Sequence, residues 1–549
     1  MNKKTAIAAA VILVILIAGG SYFGIVVPET DKAARIKAWE ETLVIGSAPS
    51  VLQNPDPYIG YHDEDTHLRN GHLVAWDVTD PAKFHPVIAE SWSLKHKPDG
   101  TPYVEFKIKK GLKFNDGTEI DAYACKQSLD KHWKLEPRVQ WARDAFSYTS
   151  LEAQDKYTLN AICVNDFGYV GTLGVMSLHY ALIESPASRE KYKEGMNIVG
   201  FAPYNVISYT TNEQEILERY DGYPWANKYT FKRIVIKSFP DASSLRLALE
   251  KGEIDVAVHG MTKFDLADLA KKSGVKVGYQ EGSMRLLKMD QHYDYFKNMK
   301  VRQAVAEVIN QEELVKAAVP MCKPTYSFPQ RRMPYLNDEA WLSRYGKHDL
   351  EKAKKLMAEA GYPNGFKTDL WICEQYQSIE TEMNLATVAK EQLAKIGIDV
   401  TIKSTTNAIF TQKRRNTGEM PMSLMGWYED YPDVDSYVDY LFGSPWGKDA
   451  GITAETYPEI AALVKKGRDI YDPTKETPFN PERKKIYDQI HDMSAEKALW
   501  VPLYTELRGQ AWRDWVVGYK QPWQWQLFVA LPMYEFDYQV YKKAPAGMF

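Results

Sequence analysis

The residue types best suited to binding a small charged ligand are concentrated in one short segment of the chain, residues 426–435. This segment interleaves carboxylates with aromatic rings: Trp427, Tyr428, Glu429, Asp430, Tyr431, Asp433 and Asp435. A carboxylate in such a setting can accept a ligand ammonium, and the rings can supply apolar walls. We therefore interpret the segment as the rim of a binding site, with Asp430 as the leading candidate.

The elements around this segment leave a second interpretation open. The apolar run Met422–Met425 precedes it and predicts a strand, so the rim would stand at a strand end. A helix is predicted to follow over 436–442, and acids in the intervening turn could instead cap that helix. Asp433 and Asp435 suit such capping, whereas Asp430 lies too far upstream for it.

A second polar cluster raises the question of a metal site. It places hard oxygen and imidazole donors in one loop: His62, Asp63, Glu64, Asp65, Thr66, His67 and His72. Such donors bind divalent cations. The spacing between His62 and His67, however, matches neither a helix face nor a strand face. A solvated acidic loop is favoured, and we predict no metal site.

Sequence motifs of the common enzyme classes are absent. The chain has no G-x-S-x-G, H-E-x-x-H, Walker A or G-x-G-x-x-G motif. Because catalytic triads need not be local in sequence, a membrane-anchored hydrolase stays an alternative. Cys125, Cys163, Cys322 and Cys373 form no C-x-x-C pair, and we expect small buried thiols, with a disulfide left open. We predict a binding protein without a cofactor, not an enzyme.

Length and composition bound the architecture. A chain of 549 residues exceeds the roughly 250–300 residues at which single cores stop growing, so at least two lobes are expected. Hydrophobic residues make up 45% and charged residues 26%, as in soluble globular proteins. The formal net charge of -4 gives no reason to expect a nucleic-acid partner. We expect a monomer.

The N-terminus carries an export signal. Lys3 and Lys4 precede an uncharged run, Thr5–Val27. Either Ala6–Ile17 is the h-region of a signal peptide cleaved after Ala18-Gly19-Gly20, or the whole run stays as a membrane anchor. Basic residues on the short N-terminal side place the rest outside the cytoplasm. We predict a periplasmic protein or one held on the outer face of the cytoplasmic membrane.

Hydrophobic periodicity predicts an α/β fold. After a polar tether over 28–40, a strand is predicted at 41–46, and clean alternation predicts another over Tyr103–Lys109. A helix is predicted from about 121 to 133. The second half alternates predicted helices over 350–360 and 385–396 with strands over 370–372 and 398–402. This βαβ order implies a lobe built on a largely parallel sheet.

Six segments, in chain order, resemble the motifs of one family: 87–92, 108–118, 200–204, 242–257, 300–304 and 352–365. The most specific of them is IKKGLKFNDGT at 108–118. The chain thereby resembles the extracellular solute-binding proteins of family 5, the peptide and nickel binders of ABC importers. The resemblance covers nearly the whole chain after the tether.

The resemblance implies a two-lobed periplasmic-binding-protein-like fold, type II, in its large cluster C form. A ligand is enclosed when the two lobes of this fold close about hinge strands. Residues 1–40 would be the export segment and tether. The remaining chain would divide into a discontinuous first lobe at 41–80, 195–285 and 500–549, its subdomain at 81–194, and a second lobe at 286–499.

The resemblance also implies roles for residues of the rim. Peptide-binding members place a Trp and an Asp where this chain has Trp427 and Asp430, and that Asp receives the ligand's α-ammonium. Arg415 matches a position that can meet the carboxylate end. The predicted ligand-binding residues are Asp430, Trp427, Tyr428, Arg415, Tyr431 and Glu429.

We thus predict an extracytoplasmic binding protein that presents a peptide-like ligand to an ABC permease. The alternatives are a nickel or other metal-chelate binder, a binder of another small solute, and a sensory or chaperone-like receptor.

Overall fold

The computed structural model describes residues 31–48, 52, 66–77, 83–135, 148–177, 181–191, 199–226, 231–329, 333, 335–374, 379–415, 419–431, 433–443, 445–473, 480–520, 539–545 and 547–548. The predicted export segment Thr5–Val27 and most of the polar loop, His62–Asp65, lie outside these residues. Across the part of the chain that is described, no helix combines the length and the apolar content needed to cross a membrane.

The strands of the described residues are β1 (Thr42–Ser47), β2 (Val74–Trp76), β3 (Phe84–Pro86), β4 (Ala89–His96), β5 (Pro102–Ile108), β6 (Tyr148–Asp155), β7 (Thr158–Cys163), β8 (Tyr204–Thr210), β9 (Gln214–Arg219), β10 (Arg233–Ser238), β11 (Val256–His259), β12 (Val275–Met289), β13 (Lys323–Pro324), β14 (Phe366–Cys373), β15 (Ile398–Thr405), β16 (Met422–Trp427), β17 (Trp500–Arg513), β18 (Val516–Val517) and β19 (Tyr541–Lys542).

The helices are α1 (Lys32–Glu40), α2 (Thr66–Arg69), α3 (Ala122–Leu135), α4 (Gly168–Met176), α5 (Pro186–Lys191), α6 (Ala242–Lys251), α7 (Lys263–Leu269), α8 (Asp294–Lys297), α9 (Met299–Val308), α10 (Gln311–Ala318), α11 (Glu339–Tyr345), α12 (Leu350–Glu359), α13 (Ile379–Ala394), α14 (Asn407–Arg415), α15 (Asp435–Phe442), α16 (Pro445–Asp449), α17 (Pro458–Asp469) and α18 (Pro481–Glu496).

Two long antiparallel strands, β12 and β17, join the two parts of the main sheet. The strand order is β15-β14-β16-β12-β17-β11-β1-β10-β9-β8, with β13 on β17. β12 pairs with β17 along its length but with β16 only over Met284–Met289, while β17 continues to β11. We call β1 to β11 with their helices the first region, and β14 to β16 with helices α8 to α18 the second region.

The first region agrees with the periodicity of the sequence. β5 covers the predicted strand, and its Val104, Phe106 and Ile108 are buried while the alternating residues are more exposed. It lies in a separate antiparallel sheet of order β4-β5-β7-β6. The predicted helix after Asp121 is α3, which runs from Ala122 to Leu135.

The predicted alternation of the second region is confirmed. β14 and β15 are parallel and α13 lies between them in the chain, and β16 is parallel to β14. Asp349 caps α12 by accepting a hydrogen bond from the backbone N–H of Lys352 at 3.0 Å. The whole sheet is mixed, because β12 is antiparallel to both β16 and β17. Parallel pairing joins β14 to β15 and β16 and, in the first region, β1 to β10 and β11.

Lys32–Glu40, predicted as part of a polar tether, forms a helix instead. Asp31 caps it through the backbone N–H of Ala34, and Trp39 is buried at its end. The ammonium of Lys542 lies 3.7 Å from the Trp39 ring centroid and 2.9 Å from Asp255. The C-terminal strand thus fixes α1 to the first region. The residue ranges given above for the two lobes and the subdomain stay predictions.

Candidate functional site

The candidate rim begins where β16 ends, as predicted. Gly426 and Trp427 are the last residues of this strand and lie opposite Arg285 and Met284 of β12. A Cβ at position 426 would stand 2.8 Å from Nη1 of Arg285, so a larger residue there would require the Arg285 side chain to shift. Ligands of open α/β sheets bind outside the carboxyl ends of the strands, and the rim occupies such a place.

Aromatic rings form one side of the rim. The half-buried Trp427 stacks on Tyr440 with ring centroids 3.4 Å apart, and Tyr428 lies parallel to it at 5.6 Å. Trp446 meets Trp427 edge-on at 5.4 Å. The indole N–H of Trp427 donates to the carbonyl of Ser436 at 2.9 Å. This hydrogen bond and the stacking fix the orientation of the ring.

The acids that follow Trp427 are buried. Glu429 and Asp430 are each 1% exposed. The hydroxyl of Tyr437 donates to Glu429 at 2.5 Å, and the backbone N–H of Asp430 donates to Oγ of Ser436 at 3.0 Å. A buried carboxylate is stable only beside positive charge or hydrogen-bond donors. Tyr437 supplies one such donor to Glu429.

Tyr431 is buried among the same side chains. Its hydroxyl donates to Oδ2 of Asp435 at 2.9 Å. Burial, reinforced by the Asp435 carboxylate, raises the pKa of Tyr431 well above its ordinary value, so the phenol stays protonated. Its ring meets Phe167 of the first region edge-on at 5.8 Å. The rim thus lies where the two regions touch.

The later acids of the segment are held by guanidinium groups. Arg483 pairs with both oxygens of Asp433 at 2.8 and 2.9 Å, and Arg468 pairs with Asp435 and Asp439 at 2.8 and 2.7 Å. α15 begins at Asp435 without a side-chain cap. The capping interpretation survives in part, because Oδ1 of Asp433 accepts the backbone N–H of Asp435 at 2.9 Å.

Arg468 and Arg483 were missed by the sequence analysis. They lie 33 and 50 residues beyond their acidic partners, on α17 and α18. No local pattern connects them to the rim. The sequence offers only an indirect signal for them: closely spaced acids that become buried need cations from other parts of the chain.

Arg415 is not brought into this arrangement. It is the last residue of α14 and is exposed. Its neighbour Arg414 is buried and stacks on Trp446 at 4.9 Å. Arg414, rather than Arg415, therefore adjoins the aromatic side of the rim.

A second group of buried charges lies beside Trp446, and we call it the Lys288 cluster: Lys288, Asp290, Arg414 and Asp449. Nζ of Lys288 is 3.8 Å from Asp290, and Nε of Arg414 is 3.4 Å from Asp449. Burial lowers the pKa of Lys288 to about 8, although Asp290 and Asp449 oppose this shift. Burial likewise raises the pKa of Asp449.

The possible metal ligands and thiols give no second site in the described residues. Within those ranges no three His, Cys, Asp or Glu side chains are grouped so as to hold a metal ion. His62–Asp65 and the side chain of His67 lie outside the part of the chain that the structure describes. His72 is buried in the first region. The cysteines are free and buried.

Two regions joined by long strands, with a candidate ligand rim where they touch, define a two-lobed solute-binding protein. The family model of bacterial extracellular solute-binding proteins, family 5 Middle, matches residues 83–449, more than half of the chain. The protein belongs to this family. The predicted family and the two-lobed α/β fold are confirmed.

Known relatives match most of the chain. Heme-binding protein A of Haemophilus influenzae is 27% identical, covering 76% of this chain and 78% of its own. Glutathione-binding protein GsiB of Escherichia coli K12 is 24% identical, covering 77% and 81%. The periplasmic binding protein DppA of Helicobacter pylori, solved with the peptide STSA, superposes with a TM-score of 0.73 at 22% identity, covering 93% and 100%. The last comparison shows the fold alone.

Proposed function

We propose that this protein captures a peptide or peptide-like solute by its ammonium group and presents it to an ABC importer. The observation that carries the proposal is the setting of Asp430. This carboxylate is 1% exposed, follows the end of β16, and lies where the first region covers the second. A ligand ammonium would reach it in a site from which water is largely excluded.

The charge balance of the segment supports a cationic ligand group. Between Glu429 and Asp439 the chain has five carboxylates. The guanidinium groups of Arg468 and Arg483 pair with three of them, Asp433, Asp435 and Asp439. An ammonium at Asp430 would add positive charge beside a segment that carries five carboxylates. Because the effective dielectric constant is low there, the attraction would be stronger than in water.

The ligands named for the similar proteins fall into two kinds, with and without a free amino group. Glutathione and the peptide STSA each carry a free amino group, whereas heme carries none. The amino group suits Asp430, and the stacked rings of Trp427 and Tyr428 suit the apolar part of a ligand. We infer from this pairing that an amino-terminated solute is preferred over heme.

The test compares trialanine with N-acetyl-trialanine by isothermal titration calorimetry, with hemin titrated separately by absorbance. We expect trialanine to bind and acetylation to weaken binding by about tenfold or more, since the carboxylate would lose its charged partner. Equal affinities for the two peptides, or binding of hemin alone, would contradict the proposal.

Export is the second part of the proposal. Lys3, Lys4 and Thr5–Val27 would carry the body across the cytoplasmic membrane, after which the segment is cleaved or kept as an anchor. N-terminal sequencing of protein from soluble and membrane fractions distinguishes these outcomes. A chain recovered from the cytoplasm with its N-terminus intact would refute export.

A further inference from the structure

One side chain of the first region is inserted into the second. Phe167 immediately precedes α4, a helix that packs on β2, β5, β6 and β7 of the first region. Its ring is 1% exposed. The ring lies 5.8 Å from that of Tyr431 and 5.3 Å from that of Tyr471, edge-on to both. Both tyrosines belong to the second region.

Two guanidinium groups complete the enclosure of this ring. Arg468 and Arg483 lie 5.7 and 5.6 Å from the centroid of Phe167. Cations within about 6 Å of an aromatic face are attracted to it. We call Tyr431, Tyr471, Arg468 and Arg483 the Phe167 socket.

The two guanidinium groups of the socket are held by carboxylates of the second region. Asp433 holds Arg483, and Asp435 holds Arg468. Arg483 also donates to the carbonyl of Gly467 at 2.9 Å. A site with its charged walls already fixed loses little side-chain freedom when the ring enters.

The helix behind Phe167 touches the backbone of the rim. A Cβ at Gly174 would stand 2.5 Å from Cβ of Tyr431 and 2.8 Å from the carbonyl oxygen of Asp430. Real Cβ atoms do not approach other atoms so closely, and the second partner is backbone. Glycine at this position therefore permits α4 to lie directly over Asp430.

We propose that Phe167 is a positioning residue for solute capture: its insertion into the socket holds α4 over Asp430 and stabilises the closed arrangement of the two lobes. Gly174 sets how closely the helix approaches. The inference rests on the proposed function, in which closure encloses the solute. Retention of solute would then depend on a contact that the solute itself does not make.

The test measures the separation of the lobes without any ligand. Spin labels on Lys110→Cys, in the first region, and Lys355→Cys, in the second, report it by pulsed electron paramagnetic resonance. Both positions are exposed, and the native thiols are buried. We expect Phe167→Ala to lengthen and broaden the distance distribution. The control is Phe201→Ala, which removes a ring equally buried but packed on Tyr223 and Trp225 of the first region.

A distribution in folded Phe167→Ala protein that matches the parent would overturn the inference. Should Phe167→Ala fail to fold, Tyr471→Ala removes the partner from the other side and is expected to give the same lengthening. Gly174→Ala should also lengthen the distance, because its methyl group would push α4 away from Tyr431. An unchanged distance in folded Tyr471→Ala protein equally counts against the inference.

Trialanine binding supplies a second readout. We expect Phe167→Ala to release trialanine about tenfold faster, with little change in the association rate, and Phe201→Ala to leave both rates unchanged. If the parent protein does not bind trialanine, the peptide proposal fails, and the ligand-free distances still decide the role of Phe167. Equal release rates in the parent and in Phe167→Ala would contradict that role.

Discussion

Two groups of buried charge, one at the rim and one beside Trp446, differ in composition. The segment from Glu429 to Asp439 carries five carboxylates, and Arg468 and Arg483 pair with Asp433, Asp435 and Asp439. The Lys288 cluster carries two cations and two anions. The first group touches the first region, whereas the ion pairs of the second connect Lys288 of β12 to Asp290 and Arg414 of α14 to Asp449 of α16.

This difference in composition distinguishes a group suited to ligand binding from a group whose charges satisfy one another. In a group with equal numbers of cations and anions, the buried charges can pair with one another. Stability is then lowered by the removal of both kinds of charge from water. Under the proposed function, a group rich in carboxylates at the contact between the regions suits a ligand cation. In the proposed function the same segment supplies both scaffold and binding site, because Asp433 and Asp435 fix its shape while Asp430 would receive the ligand ammonium.

The largest expected effect comes from breaking the scaffold of the first group. Arg483 is fully buried and pairs bidentately with Asp433. Arg483→Met would leave that carboxylate buried without its cation, and we expect a loss of about 3–5 kcal/mol in the free energy of unfolding. Urea denaturation followed by circular dichroism measures it. A loss below about 1 kcal/mol would show that the pair is not structural.

A smaller effect of opposite sign is expected in the Lys288 cluster. The pKa of Lys288 is lowered from 10.5 to about 8 in the folded protein. Below pH 8 the amine is charged in both states and its burial costs stability. Between pH 8 and 10.5 the unfolded chain binds the proton more strongly, so stability rises with pH.

Lys288→Met removes this penalty. We expect the variant to be more stable than the parent at pH 7, by on the order of 3 kcal/mol at most, with the gain shrinking between pH 8 and 10.5. Urea denaturation of both proteins at pH 7, 8, 9 and 10 measures the difference. A destabilised variant at pH 7 would mean that the lysine is needed by Asp290 and Asp449.

The smallest effect is expected for a pair on the surface of the same region. Lys465 and Asp469 lie 2.5 Å apart on α17, with side chains 76% and 46% exposed. Because solvent screens exposed charges, Lys465→Ala should change the free energy of unfolding by less than about 1 kcal/mol. A loss comparable to that of Arg483→Met would show that solvent exposure does not determine how much these ion pairs contribute to the free energy of unfolding.

The local parts of the fold could be predicted from the sequence. Apolar periodicity marks β5, α12, β14, α13 and β15, since each buries one face or one stripe. The same reasoning placed the candidate rim at the end of β16. Chain length predicted at least two lobes, but the way the chain passes between them came from resemblance, because β12 and β17 pair residues far apart in the chain.

What could not be predicted depends on distant partners. Arg468 and Arg483 reach the rim from α17 and α18, and Phe167 reaches it from the other region. Lys32–Glu40 looks polar in sequence, yet Trp39 is buried, with Trp515 and Lys542 from the end of the chain against its ring. Arg415 carries the charge that a ligand carboxylate would need, but the structure leaves it exposed while Arg414 is buried.

The most direct test of the central claim compares Asp430→Asn with Asp449→Asn. Each substitution removes one buried negative charge from the second region, but only Asp430 lies at the contact between regions. We predict that trialanine affinity, measured by isothermal titration calorimetry on folded protein, falls by about tenfold or more in Asp430→Asn and stays within about twofold in Asp449→Asn. Unchanged affinity in folded Asp430→Asn protein would contradict the assignment of Asp430 as the ammonium receptor.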